Sequence, residues 1–476
     1  MSGIINFFNP MEWRGMFGLA VKQLRNNKIS FIGVALTVFL VVLVSTICAN
    51  LVASSLIHPV YGWNGGHTKR VNEQLAVWTT FITYISIMAG VILLSGVSFS
   101  IKRRWSMFAN LRILGMQLSD LRKMICAEMM LTAMFTSLIG LPIGGLLTNS
   151  VLDLFHHYNL SPQSFKFELS PWPYLVVFAI VIVLSVIIAL FASRKLKNVS
   201  IMTKTNPYAL GNPIAIAVKT VIGIGLILAP VILMLVYDYK TSIRQGDSIA
   251  GLINFALIGP CVGVSLCGRY ITYGVGALFS KVFAKAPRIS FAFSSLRENA
   301  SKLNPIFISL IITTLLTMFV TTVNSMQKVY DVSQGKSVSS DDTKSDYATT
   351  ILITMILIFT IVNIINYVLL FVYDKEQSVK LRSKLGEGKA TIFKSLLFET
   401  FLVSFFSLGI GLLSPLIYTY EFSHNMLSQT YVIWKPVIFA ILLSCGFIIP
   451  LMAAGVGYLA AIKKKTVKRR YLKQYA

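Results

Sequence analysis

Charge is scarce in this chain. Of its 476 residues only 13% are charged while 55% are hydrophobic, and the mean hydropathy is +0.71. A soluble domain carries roughly 25% charged residues, so the composition excludes a water-soluble enzyme or nucleic-acid-binding module and places the chain in a membrane. Paired cysteine motifs are missing too: Cys48, Cys126, Cys261, Cys267 and Cys445 lie singly in apolar segments without C-x-x-C spacing. That pattern excludes a disulfide framework and a cysteine zinc site, and leaves five small apolar packing residues. No Asp or Glu falls near the centre of an apolar segment, which counts against a proton- or sodium-coupled secondary carrier.

A nucleotide-binding loop is also absent, although one stretch imitates it. "KLGEGKATIFKS", residues 384–395, has two glycines followed by Lys389 and Thr391. A G-x-x-x-x-G-K-[ST] loop needs a glycine five positions before the second glycine and a hydroxyl directly after the lysine; Ser383 and Ala390 occupy those places. The segment before it, 347–373, is an apolar run of membrane-spanning length, where a P-loop follows a short strand. ATP is therefore not bound there.

What the chain has in abundance is long apolar runs. A bilayer core about 30 Å thick takes roughly 20 residues of helix, and ten segments qualify: 31–57, 75–101, 124–150, 173–193, 216–237, 249–280, 305–327, 347–373, 395–420 and 436–461. The fold expected is an all-α integral membrane protein of about ten transmembrane helices. Residues 11–24 alternate apolar and polar positions at helical spacing, as a helix lying in the cytoplasmic interface does. The first span is long for a signal peptide and reads as a retained helix.

Most of the 43 Lys and Arg fall in alternate loops, among them "KRRW", "SRKLK", "KVFAKAPR", "KLRSK" and the tail "KKKTVKRR". By the positive-inside rule both termini are expected in the cytoplasm of a plasma-membrane protein. The formal net charge of +25 then needs only topology and anionic lipid headgroups, not nucleic acid.

Sliding the chain by about 271 residues exposes an internal repeat. "LRNNKISFIGVALTVFLVVL" meets "LRENASKLNPIFISLIITTLL", and "LGMQLSDLRKMICAE" meets "LGEGKATIFKSLLFE", with Leu-Gly and the closing Glu at identical spacing. Two four-helix repeats of the same orientation, joined by two linking helices, are the expected architecture. The boundaries are an interfacial helix at 1–30, a first repeat at 31–200, linking helices at 201–285, a second repeat at 286–461 and a basic tail at 462–476.

These residues carry a resemblance. The "LR-N" stretches at Leu24–Asn27 and Leu296–Asn299, the basic block "IKRRWSMFANLRILGMQLSDLRKMICAEMML" and the exit segment "ALFASRKLKNVSIMTKTNP" resemble the FtsX-like, MacB-type permeases of ABC transporters. The ten-span form is similar to bacitracin-resistance-type permeases. It departs from them after the seventh span, where a large extracytoplasmic domain is replaced by a short polar loop near 328–346. The resemblance implies a membrane subunit without catalytic or cofactor sites of its own. A separate cytoplasmic ATPase dimer would dock on coupling helices near 103–118 and 375–390. The permease would export or displace a hydrophobic peptide, bacteriocin or lipid-like compound. Mechanotransmission to an extracytoplasmic or sensor partner is the alternative.

Candidate residues follow. Arg112, Leu114, Gly115 and Met116, with Leu385, Gly386 and Glu387, are the expected ATPase contacts, although a Leu-Gly pair also ends a helix simply because glycine caps it. Glu128 and Glu399 enter the third and ninth spans, where an unpaired carboxylate is costly. They are read as coupling carboxylates paired with Lys102, Arg103 or Lys375, or as charges reaching for the interface. Arg269 lies inside the sixth span, unless that span breaks at "CGRY", and is a candidate contact for an anionic substrate or lipid. Asn363 and Asn366 share a helix face and serve helix packing or substrate contact. His58, His67, His156, His157 and His424 fall in the outside loops, and a metal or haem site would require those loops to converge.

Overall fold

A computed structural model describes residues 10–26, 28–57, 86, 89–157, 169–194, 213–236, 250–333, 340–427 and 436–474. Among these residues every regular element is an α-helix. In chain order they are α1 (Pro10–Asn26), α2 (Lys28–Ile57), α3 (89–103), α4 (Trp105–Ile113), α5 (Leu118–His157), α6 (Pro171–Ser193), α7 (Pro213–Val236), α8 (Ala250–Val282), α9 (Pro287–Ser333), α10 (Ser340–Asp374), α11 (Glu376–Lys384), α12 (Lys389–Leu427) and α13 (Pro436–Gln474). The chain divides into two compact units, Met1–Ala209 with Thr343–Leu352, and Leu210–Asp342 with Ile353–Ala476.

Eight helices among the described residues are long and apolar enough to cross a bilayer. They correspond to the first, third, fourth and sixth to tenth expected spans. The fifth is represented by a shorter apolar helix, Ile216–Ala229. Of the second, residues 75–85, 87 and 88 lie outside the described residues and 89–103 are helical. The fold is that of an all-α membrane protein.

Small side chains set the helix spacing within each unit. A Cβ on Gly140 of α5 would fall 2.9 Å from Val42 Cγ1 of α2, and one on Gly411 of α12 would fall 2.7 Å from Thr314 Cβ of α9. Lipid supplies no hydrophobic drive between membrane helices, so close backbone approach and dispersion hold them together. In the first unit, Asn50 Nδ2 adds hydrogen bonds of 3.2 Å to Thr148 Oγ1 and to the Tyr174 hydroxyl, joining α2, α5 and α6. In the second unit α9 is the central helix, with most of its membrane-crossing stretch buried. Its hydroxyls turn inward: Thr313 donates to the Ser309 carbonyl at 2.8 Å and Thr314 to the Leu310 carbonyl at 2.8 Å. Such bonds satisfy a polar side chain that has no water to turn to.

Two expected boundaries give way to continuous helices. The stretch from Pro287 to Asn304 ahead of the seventh span and that span itself form one 47-residue helix, α9, with Pro305 inside it. The last span runs without a break through the basic tail as α13, 39 residues long. The α8 helix passes through "CGRY" unbroken, so Arg269 lies within the candidate span Ile258–Val282 and not at a helix end. Of the cysteines, Cys48, Cys126, Cys261 and Cys267 are buried, and all five are free.

Candidate functional site

The two halves of the chain each contain the same short construction. In the first unit α3 ends at Arg104, whose φ of −95° and ψ of 16° interrupt the helix, and nine residues later α4 stops at Ile113. Leu114 and Gly115 turn the chain, and α5 begins at Leu118. In the second unit Lys375 makes the interruption after α10, α11 also has nine residues, Leu385 and Gly386 turn the chain, and α12 begins at Lys389. Every boundary recurs at an offset of 271 residues. The stretch that imitates a P-loop is thus a helix, a turn and the start of another helix.

Glycine is required at the turn. Gly115 has φ of +94° and Gly386 has φ of +90°, a left-handed conformation in which any Cβ is strained. In both turns the amide two residues past the cap reaches back to the helix, Met116 N to the Leu111 carbonyl at 3.0 Å and Glu387 N to the Arg382 carbonyl at 3.1 Å. Gly115 N adds a bond to the Arg112 carbonyl at 3.0 Å. This is the Schellman arrangement, which satisfies carbonyls that the helix end leaves open. Capping therefore accounts for the glycines, and the leucines beside them are left displayed: Leu114 is 81% and Leu385 78% exposed.

The two turns differ in what crosses them. In the first the third-last helical position and the residue after glycine are Leu111 and Met116. In the second the same positions are Arg382 and Glu387, joined by two hydrogen bonds of 2.5 and 2.6 Å. Arg382 also lies over the Phe291 ring at 5.1 Å and reaches Ser395 Oγ at 3.5 Å. The hydrogen bond from Arg382 holds the Glu387 carboxyl below the usual carboxylate range.

Both candidate carboxylates, Glu128 and Glu399, are buried and paired. Glu128 is 6% exposed and Glu399 fully buried. Arg104 Nη1 donates to Glu128 Oε1 at 2.6 Å and to Oε2 at 2.8 Å. Arg104 is further fixed by Nε to the Ser100 carbonyl at 3.4 Å, Nη2 to Ser100 Oγ at 3.3 Å, and the Phe108 ring 5.7 Å from its guanidinium. Sequence reading pointed to Lys102 or Arg103 as the partner of Glu128; the residue that holds it is Arg104, because the helix breaks there and redirects that side chain toward α5. Glu399 is held by Lys375, as expected, and also by Ser295 of α9, a residue that no motif singled out. Asn299 Nδ2 in turn donates to the Ser295 carbonyl at 2.8 Å, and Lys302 pairs with Asp374 at 2.7 Å. An overlay at 271 residues, which places Arg104 over Lys375, was the available signal for the first partner.

The remaining candidates stand apart from this construction. Asn363 is fully buried and its Nδ2 donates to the Phe359 carbonyl at 2.7 Å, the bond of a packed helix residue, while Asn366 is half-buried. His156 and His157 occupy the last turn of α5. His58, His67 and the side chain of His424 lie outside the described residues. Among the described residues no group of three His, Cys, Asp or Glu is placed to hold a metal ion.

Comparison with known proteins adds one match. A family model described as FtsX-like permease C-terminal matches twice, over residues 79–201 and 350–466, and the two matches begin 271 residues apart. No curated protein matches at a significant level. Together the two matched regions span half the chain, and each contains one complete helix, Leu-Gly turn and buried ion pair; the chain belongs to the FtsX-like permease family, the multi-pass membrane subunits of ABC transporters.

Proposed function

We propose that this chain is the permease of an ABC exporter driven by a separate cytoplasmic ATPase dimer, which docks on the turns at Leu114–Gly115 and Leu385–Gly386. The observation that carries the reading is the paired display of one exposed leucine on each of two equivalent, glycine-capped turns. Exposed apolar side chains at a helix tip, beside basic residues such as Arg112 and Lys384, suit insertion into a partner's cleft. Both termini and both turns are then cytoplasmic, in keeping with the lysine and arginine bias. The repeats proposed at 31–200 and 286–461 each supply one docking surface.

Closure of the ATPase dimer pushes the two turns. Glu128 and Glu399 pass the displacement into the spans formed by α5 and α12, and a substrate leaves the membrane or its outer leaflet. Apolar helix faces and short outside loops favour a hydrophobic peptide, bacteriocin or lipid-like compound over a hydrophilic solute. Arg269, inside a membrane-crossing stretch, is the candidate contact for an anionic group on substrate or lipid. Asn363 and Asn366 are assigned to helix packing.

The test is capture. Ile113→Cys and Lys384→Cys place equivalent exposed thiols beside the two turns. Cross-linking from both sites in cells should trap one Walker-A-containing protein. Capture of none, or from one site only, would remove the two-surface reading.

A further inference from the structure

The two buried ion pairs each close a loop, and the loops are the same size. Arg104 and Glu128 are 24 residues apart, and so are Lys375 and Glu399. Each loop consists of a nine-residue helix, a glycine turn, and the first ten residues of a long helix up to the carboxylate. That last side is roughly 15 Å long at 1.5 Å per residue, and the short helix roughly 13 Å. The cation occupies the one non-helical residue between the incoming span and the short helix, so each loop is a triangle whose corners are the hinge, the exposed leucine turn, and the carboxylate inside the next span.

A triangle of stiff sides does not fold at its corners. Without the ion pair, a push on Leu114 or Leu385 would bend the chain at the hinge and be absorbed there. With it, the hinge is tied to the next span, and the push turns both spans together. The strength of the tie suits this use. A buried pair made from good hydrogen bonds holds its geometry because either partner alone would be an uncompensated buried charge. Both copies keep the tie while changing its chemistry, an arginine with two hydrogen bonds in the first and a lysine assisted by Ser295 in the second. What is retained is a cation at the hinge and the loop length, not a particular residue.

We infer that Arg104 and Lys375 are the positioning residues of this permease, hinge cations that lock each coupling helix to the following span and so convert motion of the docked ATPase into motion of two membrane helices at once. This rests on the permease reading above. The functional element is the closed loop rather than the carboxylate alone.

The experiment uses the full chain with its captured ATPase in lipid nanodiscs, reading three quantities: ATPase capture, ATP hydrolysis relative to the free ATPase, and the ATP-dependent change in hydrogen exchange of α5 and α12. Failure of the wild-type chain to capture an ATPase overturns the permease reading itself and is seen before any variant is made. Two glycines inserted after Arg104, or after Lys375, leave the ion pair available but slacken the loop. The inserted chains should capture ATPase as wild type does, while the exchange response and the permease effect on hydrolysis fall by about fivefold or more, the lower end of ordinary site-to-site coupling. The exchanged chain, Arg104→Lys with Lys375→Arg, should keep both responses within about twofold, since each copy already uses the other's residue. Inserted chains with a wild-type response overturn the inference. So does loss of capture in parallel with loss of response, because the loops would then serve only to shape the docking surface.

Discussion

Gly115 and Gly386 occupy the same left-handed backbone conformation, φ +94° and +90°, at the tips of two turns 271 residues apart. Neither has a neighbouring atom within 4 Å of where a Cβ would sit. The cost of replacing them is therefore backbone strain alone. Gly115→Ala and Gly386→Ala should each destabilise by about 1 kcal/mol, with Asn milder and Val worse. Thermal unfolding in detergent gives the order; equal effects for Asn and Val would show that the turn tolerates any side chain.

The exposed leucines should behave in the opposite way. Leu114→Ser and Leu385→Ser remove side chains that are 81% and 78% exposed, so unfolding temperature should stay at the wild-type value. ATPase capture should fall, and fall further in the double variant. Lys389 and Thr391 have exposed side chains past the second turn, and their replacement by alanine should leave both properties intact. That contrast separates a docking turn from a phosphate-binding loop, in which Lys389 would be indispensable.

Breaking a buried pair is costly. Glu128→Leu leaves Arg104 without its carboxylate in a 9%-exposed site, and Glu399→Leu does the same to Lys375. Each should destabilise by roughly 3–5 kcal/mol. Removing both members together, as Arg104→Met with Glu128→Leu, should recover most of that loss. A chemical-denaturation cycle measures it, and additive losses would deny that the two residues form one unit.

The close helix approach at Gly411 sets a different expectation. A Cβ there meets Thr314 Cβ at 2.7 Å, so Gly411→Val must push α12 away from α9. Overpacking of this kind costs typically 1–3 kcal/mol. The companion Thr314→Ala should relieve part of it, and failure of that relief would place the strain elsewhere.

Acid should act on the second turn and spare the first. Arg382 holds Glu387 below the ordinary carboxylate value, so the pair's contribution is complete above about pH 4.3 and is lost as pH falls through the depressed folded value. The pair is partly exposed and worth at most about 1 kcal/mol, less at high salt. Glu387→Gln should remove this part of the acid sensitivity, as read by unfolding against pH. Met116→Ala in the first turn should leave it unchanged.

Much of this was legible in the sequence because membrane folds are written in long apolar runs, and because the chain carries its own comparison in the repeat. Leu-Gly and the closing glutamate were visible at equal spacing, and the structure places both pairs in equivalent turns and spans. The partner of Glu128 was not legible. "KRRW" offers three cations in a row, and which one faces α5 depends on where the helix breaks, a matter of a single residue's φ and ψ. Ser295 was hidden for a related reason: a lone serine gives no signal until α9 runs past the expected interface and brings it to Glu399. The extension of the seventh span back to Pro287 in α9 escaped because Pro305 reads as a boundary, whereas a membrane helix with packed neighbours tolerates it.

Equal loops have a mechanical corollary. Under the proposed ATPase dimer, two levers with the same arm would deliver the same displacement to both halves. What differs is the grip at each fulcrum: in one half a single Arg104 nitrogen is shared by both Glu128 oxygens, and in the other the Lys375 ammonium is shared between Glu399 and Ser295.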